Sequence, residues 1–349
     1  PYGGTAEATP TAARLAREGV VFDRAYTPTP LTIPAHTSLF TGQYPTRHGV
    51  RDNGDFFLSE EVMTLAEHLQ GAGYQTMASV GAEVTSHHWG FAQGFDRYFD
   101  DMGDARDTNR WRVERPGDAV VDDALGWLET HALQDGPWMS WVHLFDAHHP
   151  YAPPEPYASR FVGRPYLGEV ASADAQIGRI LALLDEQEEL DDTWVIMTAD
   201  HGEGLGSHGE SLHGVLLYDA TTRIPLIIRP PSGLTTTRRV AQTVSLVDLS
   251  PTILSLAGVP PTETMDGVDL SPWLQASAPD LAPADRPVYL ESLYAWHHFG
   301  WAPQRALVDD QSKLIDSTTA ELYHQSDSRE ADNRAEAEPA QVQALQAAL

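Results

Sequence analysis

Apolar residues in this chain fall into helical stripes and short runs that alternate from end to end. Thr9-Pro10 reads as an N-cap with proline at the first helical position, and Ala12, Ala13, Leu15 and Ala16 give the following helix its apolar face. A short apolar run comes next at Val20 to Phe22. Residues 61–70 carry Val62, Leu65, Ala66 and Leu69 at helical spacing, GAGY stops that helix, and residues 75–80 read as a strand. Residues 90–101, GFAQGFDRYFDD, read as a loop. An acidic amphipathic helix is predicted over 117–131, with Val120, Val121, Ala124, Leu125 and Leu128 inward. A second, over 166–186, turns Val170, Ile177, Ile180, Leu181 and Leu184 inward. WMSWVHLF (138–145) and WVIMTADH (194–201) have buried-strand patterns that run into polar residues, RIPLII (223–228) is a further core strand, and residues 245–258 a further helix.

This alternation predicts an α/β fold with a mainly parallel central sheet and helices on both faces. In such sheets the site lies at the C-terminal strand ends, so Asp146-Ala147-His148-His149 and Asp200-His201 are well placed. The proline- and alanine-rich run 276–287 reads as a linker, dividing a core of residues 1–275 from a smaller unit of residues 276–349. Within that unit VYLESLY, RALVD and SKLID predict short antiparallel strands, and an Ala/Gln-rich helix closes the chain. His297 and His298 lie either at a cleft mouth or on plain surface.

Composition narrows the chemistry. With 349 residues, 42% hydrophobic and 21% charged, the chain is globular. It has no cysteine, which excludes disulfides, thiolate metal sites and a cysteine nucleophile. A net charge of −28 argues against nucleic acid as a partner. Lys313 is the only lysine, so a metal ion, histidines and arginines must supply any positive centre for an anionic substrate. No apolar run reaches the length of a membrane span.

Two stretches carry candidate chemistry. In PLTIPAHTSLFTGQYPTRHGVRDN (30–53), prolines 28, 30 and 34 interrupt any early helix, while AHTSLFT favours a short one that Gly42 can end in the left-handed conformation. Thr32 then stands just ahead of a helix start, either as a plain cap or where a phosphate or sulfate would be held. In the second stretch an apolar strand ends in Asp200 and His201 before glycine-rich turns. A carboxylate and an imidazole at one strand tip suit a first-row divalent cation; the alternative is a salt-linked pair capping the next turn.

The pattern T-x-P-x-H-x-S-L-x-T-G-x-Y-P-x-x-H-G-V-x-D-N, from Thr32 to Asn53, resembles the signature of the sulfatase family within the alkaline phosphatase superfamily. D-H-G-E-x-L-G-x-H-G-x-x-x-H-G, from Asp200 onward, resembles the metal motif of phosphoethanolamine and phosphoglycerol transferase relatives and of sulfatase-like hydrolases. The resemblance implies an alkaline phosphatase-like three-layer sandwich with a small C-terminal antiparallel subdomain. It implies a metal on Asp200, His201 and Thr32, and Asn53 on a non-bridging oxygen. His148, and His213 thirteen positions after Asp200, would serve a second metal or the leaving group. His36 would position the nucleophile loop, and His208 would be loop structure.

Three departures separate the chain from formylglycine sulfatases. Thr32 replaces the Cys or Ser that gives the aldehyde, the surrounding lysines are absent, and Asp200-His201 replaces the usual Asp-Asn. These favour a covalent Thr32 ester, zinc or manganese ahead of calcium, one or two ions, and a small anionic phosphoester ahead of a sulfate. The alternatives are an envelope phosphoethanolamine- or phosphoglycerol-type transferase and an inactive anion-binding relative. Periplasmic or extracellular location follows from the resemblance. Relatives also carry metal-binding carboxylates on a strand shortly before a Tyr-Gly, and Tyr2-Gly3 resembles the tail of that motif, so that strand is expected upstream.

Overall fold

The computed structural model describes residues 2, 7–103, 113–132, 136–232, 237–262, 264–274 and 286–349. Helix α1 (Pro10–Glu18) has Thr9 at its N-cap and proline at N1, yet the Thr9 side chain makes no capping bond. Strand β1 (Val20–Tyr26) and helix α2 (Thr32–Thr41) follow. Helix α3 (Leu65–Gly71) begins later than its periodicity predicts, because Thr64 and Glu67 close a reciprocal capping box that leaves Val62 outside. Strand β2 (Gln75–Val80) has the expected bounds. The expected loop after it holds a short strand, β3 (Arg97–Phe99), anchored where Asp96 accepts the Thr76 N–H at 2.9 Å.

Helix α4 (Gly117–Trp127) leads to strand β4 (Trp138–His143) and the long helix α5 (Pro165–Glu186). Strands β5 (Val195–Thr198), β6 (Arg223–Arg229) and β7 (Arg238–Ser245) come next, then helix α6 (Leu249–Leu256). Strands β3-β2-β4 form an all-parallel sheet. A second sheet has the order β5-β6-β1-β7, in which β1 and β7 are parallel and β6 opposes both neighbours.

The period-two pleat of β4 explains the layering. Trp138 and Val142 point into a cluster with Ala124 and Trp127 of α4 and Leu183 of α5. Met139 and Trp141 point the other way, among Phe40 of α2, Leu65 of α3 and Leu254 of α6. Trp138 also packs with Val195 and Met197, which brings β4 beside β5. Both strands were expected to be buried, but all their residues are only half-buried: among the described residues β4 pairs only with β2, and β5 only with β6.

The C-terminal unit is antiparallel, as expected. Strand β8 (Val288–Ser292), helix α7 (Tyr294–Phe299), β9 (Gln304–Val308), β10 (Ser312–Asp316) and β11 (Glu321–His324) give a sheet of order β11-β10-β9-β8. Helix α8 (Pro339–Gln346) covers it through Val342, packed on Leu314 and Leu322. Positions 276–285 of the expected linker lie outside the described residues. Among those described, no helix is long and apolar enough to cross a membrane.

Helix α5 ties distant segments together through two buried acids. Asp174 accepts the N–H groups of Thr11 and Ala12, each at 2.8 Å, and so supplies the cap that Thr9 does not. Glu169 accepts Ala147 N–H at 2.9 Å and Ala152 N–H at 2.5 Å, closing the loop that carries His148. Ala147 sits at φ 75°, a conformation a non-glycine residue holds only when its surroundings fix it.

Asp174→Ala leaves two donors unpaired, one of them buried, so it is expected to cost about 1–3 kcal/mol, seen as a lower urea midpoint at unchanged slope. Burial, opposed by its two N–H bonds, raises the Glu169 carboxyl from 4.5 to about 6. The folded state therefore holds this proton more tightly than the unfolded chain, and the contribution to stability falls as pH rises through that window. Glu169→Gln, which cannot ionise, should lack this share of the pH dependence; an identical plot of midpoint against pH would refute the assignment.

Candidate active site

Helix α2 starts at Thr32 itself, with Leu31 as an extended N-cap and no side-chain capping bond. This corrects the expectation of a helix beginning after Pro34 with the hydroxyl ahead of it. The first turn of a helix has no intrahelical use for its N–H groups, so Pro34 is tolerated inside it. Gly42 ends the helix at φ 64°, as expected. The Ile33 N–H donates to Asn53 Oδ1 at 2.9 Å, so Asn53 caps α2 from twenty residues away. An N–H must face the amide oxygen, which leaves the Asn53 NH2 as the free donor.

Asp200 and His201 follow β5 directly. A Cβ on Gly202 would stand 2.2 Å from Ala220 O and one on Gly204 2.4 Å from Glu210 O, so this turn closes only with glycine. Gly204 N–H to Leu212 O at 2.7 Å folds the loop back and returns His213 to the site, its ring 4.0 Å from that of His201. His148 stacks on Phe145 at 4.1 Å, with its ring 5.4 Å from His213.

The three groups expected to share a cation meet. Thr32 Oγ1 lies 3.3 Å from His201 Nε2, which lies 3.4 Å from Asp200 Oδ2. His36 joins them, its Nδ1 2.8 Å from Thr32 O and 3.7 Å from Asp200 Oδ2. His143, which sequence reasoning passed over, completes the group: ligand atoms of His36, His143 and Asp200 lie within 4.8 Å of one another. Its one signal was position, a polar residue near the end of an apolar run.

Carbonyl and carboxylate oxygens only accept, so they fix the tautomers. His36 Nδ1–H donates to Thr32 O, His201 Nδ1–H to Gly202 O at 2.9 Å, and His213 Nδ1–H to Glu203 at 3.3 Å. Each keeps its Nε2 lone pair, an arrangement typical of metal-binding histidines. Burial lowers His143 to about 3, helped by His36, and lowers His201 to about 4 despite Asp200. Burial and His213 also lower His148, whose buried Nδ1 lacks a protein hydrogen-bond partner. Burial pushes the Asp200 carboxyl up, but the fields of His201, His36, His143 and His213 outweigh it and hold the group well below the usual range. Neutral imidazoles, an orphaned ring nitrogen and an ionised carboxylate are what a divalent cation requires, so the residues fit one.

Other histidines lie apart from this cluster. His87 pairs with Asp100 at 2.6 Å, and both it and His88 have side chains more than half exposed. His149 is exposed. His208 stacks on Tyr218 at 3.6 Å and bonds to Glu330 O at 3.0 Å, which is the loop role expected of it. Lys313 is buried against Asp219 and Glu330, each at 2.9 Å.

Comparison with known proteins gives the family. The family model described as sulfatase matches residues 2–259, and one described as N-sulphoglucosamine sulphohydrolase, C-terminal, matches residues 208–349. The uncharacterized sulfatase YidJ of Escherichia coli (strain K12) is 29% identical over 396 residues, covering 92% of this chain and 77% of that protein. The ulvan-active sulfatase of Formosa agariphila is 26% identical, over 80% of this chain and 62% of that protein. Among solved structures, the phosphonate monoester hydrolase of Agrobacterium radiobacter has a TM-score of 0.79 at 21% identity, covering 96% of this chain and 88% of that one. A structure in complex with its substrate D-glucosamine-2-N,6-O-disulfate has a TM-score of 0.81 at 23% identity, covering 98% and 91%. At those identities the superpositions establish the fold alone. The family match, spanning most of the chain and both of its sequence signatures, makes this protein a member of the sulfatase family and an ester hydrolase.

Proposed function

We propose that the chain cleaves small anionic esters with Thr32 as nucleophile, through a covalent Thr32 ester, and prefers phosphoesters to sulfates. The observation that carries this reading is the 3.3 Å approach of Thr32 Oγ1 to His201 Nε2, beside an ionised Asp200. Threonine cannot become the formylglycine aldehyde. The single lysine is committed elsewhere, so the lysine-lined sulfate pocket of the family has no counterpart. A solved neighbour of the same fold is named a phosphonate monoester hydrolase.

Asp200, His201 and Thr32 would hold a divalent cation together with His36 and His143, and the mixed nitrogen and oxygen donors favour zinc or manganese over calcium. When bound, such an ion supplies positive charge for the non-bridging oxygens and lowers the pKa of the hydroxyl. The residues of the chain do the rest. The Thr32 oxygen forms a bond to phosphorus as the ester oxygen leaves on the opposite side, and the Asn53 NH2 donates to a non-bridging oxygen. His213, steered by the Glu203 carboxylate at its Nδ1, takes up at Nε2 the proton that the Thr32 hydroxyl gives up and passes it to the departing oxygen, with His148 beside it. Water then attacks the Thr32 ester and restores the hydroxyl. One relative is named an extracellular sulfatase, and the reading likewise puts this chain outside the cytoplasm.

Thr32→Ala in the full-length protein should lower kcat by at least about a thousandfold with the melting temperature unchanged. Full activity in that variant would eliminate Thr32 as nucleophile. Chelation should abolish turnover, and zinc or manganese should restore it better than calcium. A panel of aryl sulfate, phosphate monoester, phosphate diester and phosphonate substrates should give the highest kcat/KM on a phosphorus ester; a sulfate preference would reverse the ranking.

A further inference from the structure

Lys313 is the only lysine among the 22 Lys and Arg residues of the chain, and the hydrolytic reading gives it no part. It lies on β10, 2% exposed, and its ammonium has an acceptor for each of its three N–H bonds. Asp219 Oδ1 and Glu330 Oε1 each stand 2.9 Å from Nζ, and Thr222 Oγ1 stands 3.2 Å away. An ammonium can aim its N–H bonds at three groups set around one atom, which a planar guanidinium cannot do. Glu330 keeps its place at φ 48°, a conformation a non-glycine residue holds only when its surroundings fix it.

Each acceptor belongs to a segment that is bonded to a catalytic stretch. Asp219 and Thr222 are the two ends of a single helical turn, Asp219–Thr222. In that turn Thr221 O accepts the Gly202 N–H at 2.8 Å, directly after His201. Thr222 O accepts the Thr27 N–H at 2.9 Å, on the approach to Thr32. Glu330 Oε2 accepts the Asp219 N–H at 2.6 Å, which joins the two segments to each other. Its carbonyl accepts from His208 Nε2 at 3.0 Å, within the loop that returns His213. A single ammonium in the C-terminal sheet therefore braces the turn after His201, the chain leading to Thr32 and the loop bearing His213.

We propose that Lys313 is a positioning residue for the reaction, fixing from the C-terminal sheet the relative placement of Thr32, His201 and His213. A buried ion group of this kind adds little stability over apolar residues of the same volume, whereas its hydrogen bonds are directional. Direction is what the chemistry needs, because misplacing a reacting group by about 1 Å can cost about a hundredfold in rate. The role rests on the hydrolytic reading above, since the groups that Lys313 places are the ones that reading uses.

The test uses the full-length protein and two variants of it. In Lys313→Met/Asp219→Asn/Glu330→Gln the three charges leave together, so no carboxylate stays buried without a partner and the melting temperature should remain near the parent's. Its kcat on phosphate esters, measured well below that temperature, should fall at least about tenfold while KM stays within about twofold. Lys313→Ala removes the atoms of propylamine beside a small pocket bounded by Tyr323, His324 and Asp327, and added propylamine should restore kcat where propanol does not. This second variant keeps the role testable if the triple variant folds poorly. A triple variant whose kcat is within about twofold of the parent, or whose loss lies in KM, would overturn the positioning role and leave the hydrolytic reading intact. Equal effects of the amine and the alcohol on Lys313→Ala would do the same. A parent protein without turnover on any ester would overturn the hydrolytic reading and the positioning role with it.

Discussion

A carboxylate set into the end of a strand needs cationic or polar company, and the active-site half of this protein is arranged to provide it. Asp200 is buried, which raises its carboxyl, and the imidazoles gathered around it act in the opposite direction and leave it below the usual range. Each of those rings comes from a different place: His36 from α2, His143 from β4, His201 from the turn after β5 and His213 from the returning loop. The glycines at 202 and 204, the Asn53 cap on α2 and the layering of β4 all serve to bring these rings to one carboxylate. The group that results is poised for a cation because a carboxylate and ring nitrogens of His36 and His143 meet within 4.8 Å of one another.

The arrangement also explains why the site and the C-terminal sheet are one structural problem. The Arg51–Glu291 pair, the Ser292–Gly214 bond and the His298–Asp52 bond all join the second unit to turns that carry site residues. None of these bonds spans a short stretch of sequence. Removing the C-terminal unit would strip partners from both signature stretches, not merely expose a flat core surface.

Much of this was legible in the sequence, and the parts that were not share a cause. Thr32, Asp200, His201 and His213 lie in contiguous motifs whose spacing survives folding, and the structure brings them together. His143 hid inside an apolar run, where its neighbours gave it the look of core. Helix α5 looked like an ordinary amphipathic helix, because nothing local reveals that Glu169 and Asp174 bury their carboxylates on N–H groups from other segments. Strand β6 was readable as a strand, but its antiparallel direction was not, since periodicity carries no information about which way a neighbour runs. Strand β7 escaped notice because its polar sequence, RRVAQTVS, gives a weak apolar signal, as suits a strand that pairs on one side only, with β1.

The burial of Lys313 has a consequence for the surface as a whole. Its amine lies 2% exposed between two carboxylates, so the side chains of this protein present no accessible amine to acylating reagents. Apart from these two pairs and the histidine contacts, the ion pairs among the described residues all use arginine. Guanidinium groups stay charged at alkalinities that discharge amines, so the exterior pairing of this strongly acidic molecule persists far into base.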